Sequence, residues 1–490
     1  MTSDGGRLDA VEGLHRGSEW EQLHVVVVGL AVSGFAAADA LQHLGAQVTV
    51  LSDTNDEAAL DKATLLEMLG VDVRLSTDAT AQVAALPTDT DLFVTSPGVP
   101  PAAPVMRVAQ DRGLPVWGEV ELAWRLRDPS HETPWLCVTG TNGKTTTVQM
   151  LESMLRADGL RAVAAGNVGL PTCEVVMDPE PYDVVAVELS SQQLHGMHSL
   201  SAHSAAVLNV APDHVSWHGD FAAYSAAKAS IYQRCQVSCV YNVEDPATRV
   251  MVEEAEVVEG ARAIGFTLGI PSVGMVGVVD GVIADRAFVA GRDRNAAELA
   301  RVSDVATGAP HNVANALAAA ALARSVGVSA GAVGRGLRGF DLDAHRIAEV
   351  DTVDGVTYVD DSKATNPHAA LASLRSFAPV VWVAGGLAKG ADFDDLVAAV
   401  AERLRGVVLL GADRALIAQA LARHAPDVPL IEVAAVDTGV MERVVRAAAD
   451  LAHRGDTVLL APACASQDLF ASYAARGDAF AAAVRSLPKR

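Results

Sequence analysis

The stretch at residues 136–147, LCVTGTNGKTTT, constrains the fold of this 490-residue chain more than any other. A short apolar run ends in a glycine turn, and a lysine followed by hydroxyl residues opens a helical stretch at 148–155. Strand, glycine loop and helix in that order make a P-loop, whose backbone N–H groups and helix N-terminus cradle phosphates. Lys144 is expected on the β/γ oxygens of ATP and the Thr145 hydroxyl on Mg²⁺, with Gly140, Thr141, Asn142, Gly143 and Thr146 completing the loop. The usual first glycine, five positions before Gly143, is Val138 here, so the loop is a variant.

A P-loop needs a parallel sheet around it, and the rest of the chain supplies the pattern. Apolar strands at 25–28, 48–51, 92–95, 136–139, 184–188, 205–209, 380–384, 407–410 and 457–461 alternate with Ala-rich helical stretches, which predicts an α/β protein with helices on both sheet faces. The length matches three domains of roughly 150 residues each. The pattern breaks at 127–134 (RDPSHETP) and at 339–345 (GFDLDAH). We therefore expect a Rossmann-like domain at 1–131, a central P-loop domain at 132–341 and a Rossmann-like domain at 342–490. Glycines and alternating valines at 265–302 predict antiparallel hairpins inserted in the middle domain.

Charge and cysteine usage narrow the function. With 37 Lys+Arg against 60 Asp+Glu the net charge is −23, which argues against nucleic acid or anionic membranes as partners. Cys137, Cys173, Cys235, Cys239 and Cys464 are scattered without C-x-x-C spacing and read as reduced thiols. The N-terminal MTSDGGRLDAVEG has no signal-peptide pattern, and no apolar run reaches the roughly 18 residues of a membrane span. We expect a cytoplasmic enzyme acting as a monomer on small molecules.

A second nucleotide loop lies near the start. VVVVGLAVSG at 25–34 runs from strand to turn to helix, and Asp53 follows about 20 residues on, where a Rossmann fold places its ribose-binding acid. The middle glycine of the G-x-G-x-x-G fingerprint is Ala31, which weakens the case for NAD and leaves open a turn that binds nothing. Ser96 and Gly98 sit at the end of another strand, where doubly wound sheets bind ligands. A dehydrogenase and a P-loop switch ATPase are the competing classes.

The middle domain holds further chemistry. Glu188, at a strand tip beside the P-loop, is a natural second metal ligand. His214 and Lys228 taken singly fit a structural histidine and a solvated lysine, and Asn312 fits either a helix cap or an amide reading an adenine edge.

Together, TGTNGKTTT, Gly166-Asn167-Val168-Gly169, Glu188-Leu-Ser-Ser-Gln192, Asp213-His214, Ala227-Lys228, His311-Asn312, His345-Arg346, Asp361-Ser-Lys363-Ala-Thr365-Asn366 and Pro462-Ala-Cys464-Ala-Ser466-Gln-Asp468 resemble the Mur ligase family over nearly the whole chain. The resemblance is strongest to the branch that joins D-glutamate to UDP-N-acetylmuramoyl-L-alanine through an acyl phosphate made with ATP. It implies a UDP-substrate site at Val32, Ser33, Asp53, Thr54 and Ser96, with Asn167 and His214 nearer the acyl end. Lys144, His214, Lys228 and Glu188 would be catalytic, and two Mg²⁺ ions would be held by Thr145, Glu188, His214 and a CO₂-carbamylated Lys228. Asn312 would read adenine, Arg346 and Asp361 would close over ATP, and Lys363, Thr365, Lys389, Ser466 and Tyr473 would form the amino-acid site. Tyr473 stands where the family often has phenylalanine. The Asp-Asn-Pro-Arg stretch of the meso-diaminopimelate-adding relatives is missing. A folate-polyglutamate ligase would share the middle and third domains but not the first.

Overall fold

The computed structural model describes residues 11–341, 344–434 and 439–488. Leu342 and Asp343, within the second expected break, and Met1–Ala10 lie outside the described residues. The chain forms two compact units, the first carrying a five-stranded and a nine-stranded sheet and the second a six-stranded one.

In the first unit, β1 (His24–Val28), β2 (Gln47–Ser52), β3 (Asp72–Leu75), β4 (Leu92–Thr95) and β5 (Val116–Gly118) form a parallel sheet in the order β3-β2-β1-β4-β5. Every residue of β1 is buried because helices cover both faces, which is why HVVVV does not alternate. Strand order reverses between β1 and β4, so the turns after them, 29–31 and Ser96, flank the crevice where open α/β sheets take ligands. The helix after β1 begins at Val32, inside the quoted 25–34 stretch.

The nine-stranded sheet runs β14-β13-β12-β11-β10-β9-β6-β8-β7. Its members are β6 (Trp135–Thr139), β7 (Ala162–Gly166), β8 (Val184–Glu188), β9 (Ser204–Val207), β10 (Ser238–Asn242), β11 (Arg262–Phe266), β12 (Met275–Val279), β13 (Val282–Asp285) and β14 (Ala297–Arg301). Central β6 pairs in parallel with β8 and β9, which sets Val138 level with Glu188 and Thr139 level with Val207. The expected hairpins exist, β12 to β14 being antiparallel, but β12 also pairs in parallel with β11 and so extends the main sheet.

The second unit orders β15 (Ala348–Val353), β16 (Val356–Asp360), β17 (Val380–Gly385), β18 (Leu404–Leu410), β19 (Leu430–Glu432) and β20 (Thr457–Leu460) as β15-β16-β20-β17-β18-β19. The β15–β16 hairpin is antiparallel and escaped the strand pattern, because β15 is half-exposed and polar. The parallel strands β16, β20, β17 and β18 are neighbours, so the loops leaving their C-terminal ends lie side by side.

Candidate active site

The P-loop folds as its residue types require. Gly140 (φ 159°) and Gly143 (φ 85°) make the turn, and Gly143 caps helix Lys144–Ala157 from the left-handed region. A Cβ on Gly143 would run into the Asn315 amide. The loop is held from the segment just after β9, where Asn209 accepts from the Thr141 amide through its carbonyl and from the Asn142 amide through Oδ1, both at 2.9 Å. Lys144 Nζ curls back to donate to the carbonyls of Gly140 (2.9 Å) and Thr141 (3.0 Å). Thr145 lies on the first turn of the helix, half-buried, with Thr146 buried behind it.

Glu188 reaches the same strand end from β8. It is buried, its Oε1 accepts from Asn167 Nδ2 at 2.8 Å, and its Oε2 has no hydrogen-bond partner. A buried carboxylate oxygen left unmatched beside a phosphate loop suits a hard cation. Among the described residues no three His, Cys, Asp or Glu side chains form a group able to hold a metal ion.

Lys228 comes from helix Phe221–Ala229, is 1% exposed, and donates to the Gly140 carbonyl at 2.8 Å. Its Nζ stands 4.7 Å from the centre of the Tyr224 ring, whose hydroxyl meets Thr141 Oγ1 at 2.9 Å. The lysine read as a solvated face in isolation is thus locked against the P-loop. His214 is exposed and starts helix Val215–His218 from the left-handed region (φ 50°). A histidine the sequence reading passed over, His218, stacks edge-on with Trp217 and Tyr224 and meets Ser191 Oγ at 2.9 Å. Burial, then the charges of His195, His214 and Lys228, hold its imidazole down at about 4. Spacing gave no signal for it, since its partners arrive from other elements.

At the first loop, Ser96 is buried and donates to the Gly29 carbonyl at 3.2 Å. Side chains on Gly29 or Gly34 would collide with Ser96, so this serine also closes the turn. Val32 is 61% exposed at the start of its helix, Ser33 is half-buried beside it, and Asp53 and Thr54 are exposed at the end of β2. Two carboxylates that the sequence reading missed tie this sheet to the nine-stranded one. Glu121 accepts from the amides of His198 (2.8 Å) and Ser199 (3.0 Å), from Ser199 Oγ (2.6 Å) and from Arg125 Nε (2.7 Å). Glu119 Oε1 accepts from the Cys173 amide at 2.7 Å and Thr172 Oγ1 at 2.8 Å.

In the second unit, Asn312 is not the helix cap allowed for above: helix Pro310–Ser325 begins earlier, and its Nδ2 donates to Thr307 Oγ1 at 2.9 Å. Asp361 is buried at the end of β16 and bonded to Ser373 Oγ. Burial pushes its carboxyl up to about 6, against the opposing Ser373 bond and the charge of Arg346. Lys363 Nζ sits 3.9 Å over the Tyr473 ring, and Thr365 follows two residues later, its amide donating to the Lys363 carbonyl at 2.8 Å. Ser466, on the loop after β20, is buried with its Oγ unmatched, and Lys389 is exposed on the loop after β17 at φ 51°. Buried Arg476 locks this side by donating to the Ser362 hydroxyl (2.9 Å) and carbonyl (2.8 Å) and to the Cys464 carbonyl (3.1 Å).

Comparison with known proteins agrees with this layout. Residues 23–118 match the Mur ligase MurD-like N-terminal domain, 138–323 the Mur ligase middle domain, and 345–464 the Mur ligase glutamate ligase domain. The chain is 60% identical to a UDP-N-acetylmuramoylalanine–D-glutamate ligase of Streptomyces avermitilis, over 96% of this chain and 99% of that one. It is 54% identical to the ligase of the same description from Thermobifida fusca, over 94% and 98%. Among solved structures, UDP-N-acetylmuramate-alanine ligase of Thermotoga maritima shares the fold, with TM-score 0.56 and 17% identity over 95% of this chain and 99% of that one. With its three domain matches in order and near-full-length relatives this similar, the chain belongs to the Mur ligase family.

Proposed function

We infer that this chain is an ATP-dependent ligase that adds D-glutamate to UDP-N-acetylmuramoyl-L-alanine in peptidoglycan precursor synthesis. The observation that carries the reading is the pair of phosphate-binding turns in one chain, one built for ATP and one with Ala31 in place of the dinucleotide glycine, in a protein 60% identical to ligases of that description.

In the reaction, a carboxylate oxygen of the UDP-linked substrate attacks the γ-phosphorus of ATP and ADP leaves, giving an acyl phosphate. The uncharged amine of D-glutamate then attacks the acyl carbon, phosphate departs, and the nitrogen loses a proton to give the amide. The P-loop amides and Lys144 would hold the polyphosphate of ATP in line, with Asn312 on adenine and Arg346 and Asp361 on the rest of the nucleotide. Val32, Ser33, Asp53, Thr54 and Ser96 would bind the uridine diphosphate, and Asn167 and His214 would orient the acyl end. Lys363, Thr365, Lys389, Ser466 and Tyr473 would receive D-glutamate, the two lysines matching its two carboxylates.

Mg²⁺, when bound, neutralises phosphate charge. Thr145, Glu188, His214 and Lys228 would hold it, as two ions. A single buried carboxylate is a thin ligand set for two hard cations, and a carbamate on Lys228 would add anionic oxygens. Carbamylation needs the amine uncharged: its nitrogen bonds to the carbon of CO₂ and releases a proton. We assign the three domains to 1–131, 132–341 and 342–490, and place the enzyme in the cytoplasm as a monomer. No helix among the described residues is long and apolar enough to cross a membrane.

The test is incubation with ATP, Mg²⁺, UDP-N-acetylmuramoyl-L-alanine and a panel of amino acids, products read by mass. D-glutamate should be added, Lys144→Ala should stop acyl-phosphate formation, and preferred addition of L-alanine or a diamino acid would overturn the assignment.

A further inference from the structure

We propose that Asp413 is a positioning residue of the amino-acid site, gripping the loop that presents Lys389. The inference rests on the reading of Lys389 as a carboxylate-binding group, and goes beyond it in naming what holds that lysine in place. Lys389 is exposed and sits in the left-handed region (φ 51°), a conformation that is unfavourable for a lysine and persists only where the surroundings impose it. Asp413, at the start of helix Arg414–His424 in the loop after β18, imposes it from both ends of its own backbone and side chain. Its Oδ2 accepts from the Ala388 amide at 2.8 Å, one residue before Lys389, and its own amide donates to the Gly386 carbonyl at 3.0 Å.

The grip has a second tier. Leu387 and Ala465 exchange two backbone hydrogen bonds at 2.9 Å, which ties the Lys389 loop to the loop carrying Ser466. Asp468, on that same loop, accepts from the Ala412 amide at 2.8 Å, next to Asp413. A Cβ on Gly411 would strike the Gly386 backbone (2.5 Å) and the Asp468 carboxylate (2.7 Å), so the three loops are packed at backbone contact. Lys389 and Ser466 are therefore set relative to one another through Asp413 and Asp468, neither of which was singled out for the amino-acid site.

What matters in this arrangement is an acceptor for the Ala388 amide, and asparagine keeps one. Asp413→Ala should raise KM for D-glutamate on the order of ten-fold or more, the scale that a misplaced recognition group costs, with KM for ATP and for the UDP substrate held within about two-fold. Asp413→Asn should bring KM for D-glutamate back near wild type. A role confined to folding would lower the amount of active enzyme without splitting the three KM values. The proposal is overturned if Asp413→Ala leaves KM for D-glutamate unchanged, if it raises all three alike, or if Asp413→Asn fails to rescue. Should Asp413→Ala not fold, Asp413→Glu shifts the acceptor by one methylene and should raise KM for D-glutamate selectively; an unchanged value overturns the idea equally. Lys389→Ala, measured beside these, separates the two readings. If it leaves KM for D-glutamate unchanged, the amino-acid site itself is misassigned, whereas a rise with Lys389→Ala and none with the Asp413 variants removes only the bracing role.

Discussion

Asn167 and Glu188 are joined by one hydrogen bond of 2.8 Å that occupies Oε1 and leaves Oε2, also buried, without a partner. The amide fixes the carboxylate's rotation, so the unmatched oxygen has a defined direction beside the P-loop. Glu188→Gln keeps the acceptor for Asn167 and replaces the charged face. Turnover is expected to fall on the order of 100-fold, with the Mg²⁺ requirement shifted upward and the melting temperature nearly unchanged. Near-wild-type turnover at low Mg²⁺ would show that Glu188 holds no ion.

The first loop should bind UDP-linked ligands and not NAD. In a thermal-shift series, a UDP-sugar at 100 times its dissociation constant should add about 2.7 kcal/mol of stability, and NAD at equal concentration none. Gly34→Ala is the structural control. Its methyl would meet the Gly29 carbonyl and Ser96 Oγ, and the overpacked turn should lose about 1–3 kcal/mol by calorimetry.

Removing CO₂ should silence Lys228. The side chain is buried against the Gly140 carbonyl, and as an ammonium it would repel the cation it is expected to help hold. Activity should fall in CO₂-stripped buffer at mildly acidic pH and return with bicarbonate, alongside a mass gain on the Lys228 peptide. Bicarbonate-independent turnover with no such mass would refute it.

Acid should weaken the middle domain partly through His218. The fold holds this imidazole neutral down to about 4, against an ordinary value of 6.5. Below 6.5 the unfolded chain takes up a proton that the folded one refuses, so this contribution to stability is complete above 6.5 and drains away as pH falls toward 4. Comparing melting temperatures at neutral and mildly acidic pH, His218→Gln should lose less than wild type. His195 and His203 are depressed by burial too, so part of the loss remains in the variant. Equal losses in both proteins would place the acid sensitivity elsewhere.

Periodicity and loop chemistry carried the sequence reading a long way. Strands such as β1, β6, β8 and β17 are buried on both faces, and the pattern that buries them is written locally as short apolar runs between glycine turns. The P-loop was legible for the same reason: its function depends on residues adjacent in the chain, whose backbone geometry glycine and a following helix determine. The family motifs, read in order, extended this to reaction class.

Long-range neighbours were not legible. Whether Lys228 was a solvated lysine or a buried one depended on helix Phe221–Ala229 packing its last turn against the strand that ends at Thr139, 89 positions away. Likewise Asn209, His218, Glu121 and Asp413 look like ordinary polar residues until strand order sets β9 beside β6 and β17 beside β18. The half-exposed β15 has no apolar alternation to announce it, and its pairing with β16 alone makes it a strand. Chain-local propensities determined which elements form and which loops carry phosphate chemistry. Burial and hydrogen-bond partners, which arise only when distant segments meet, decided which polar side chains those loops depend on.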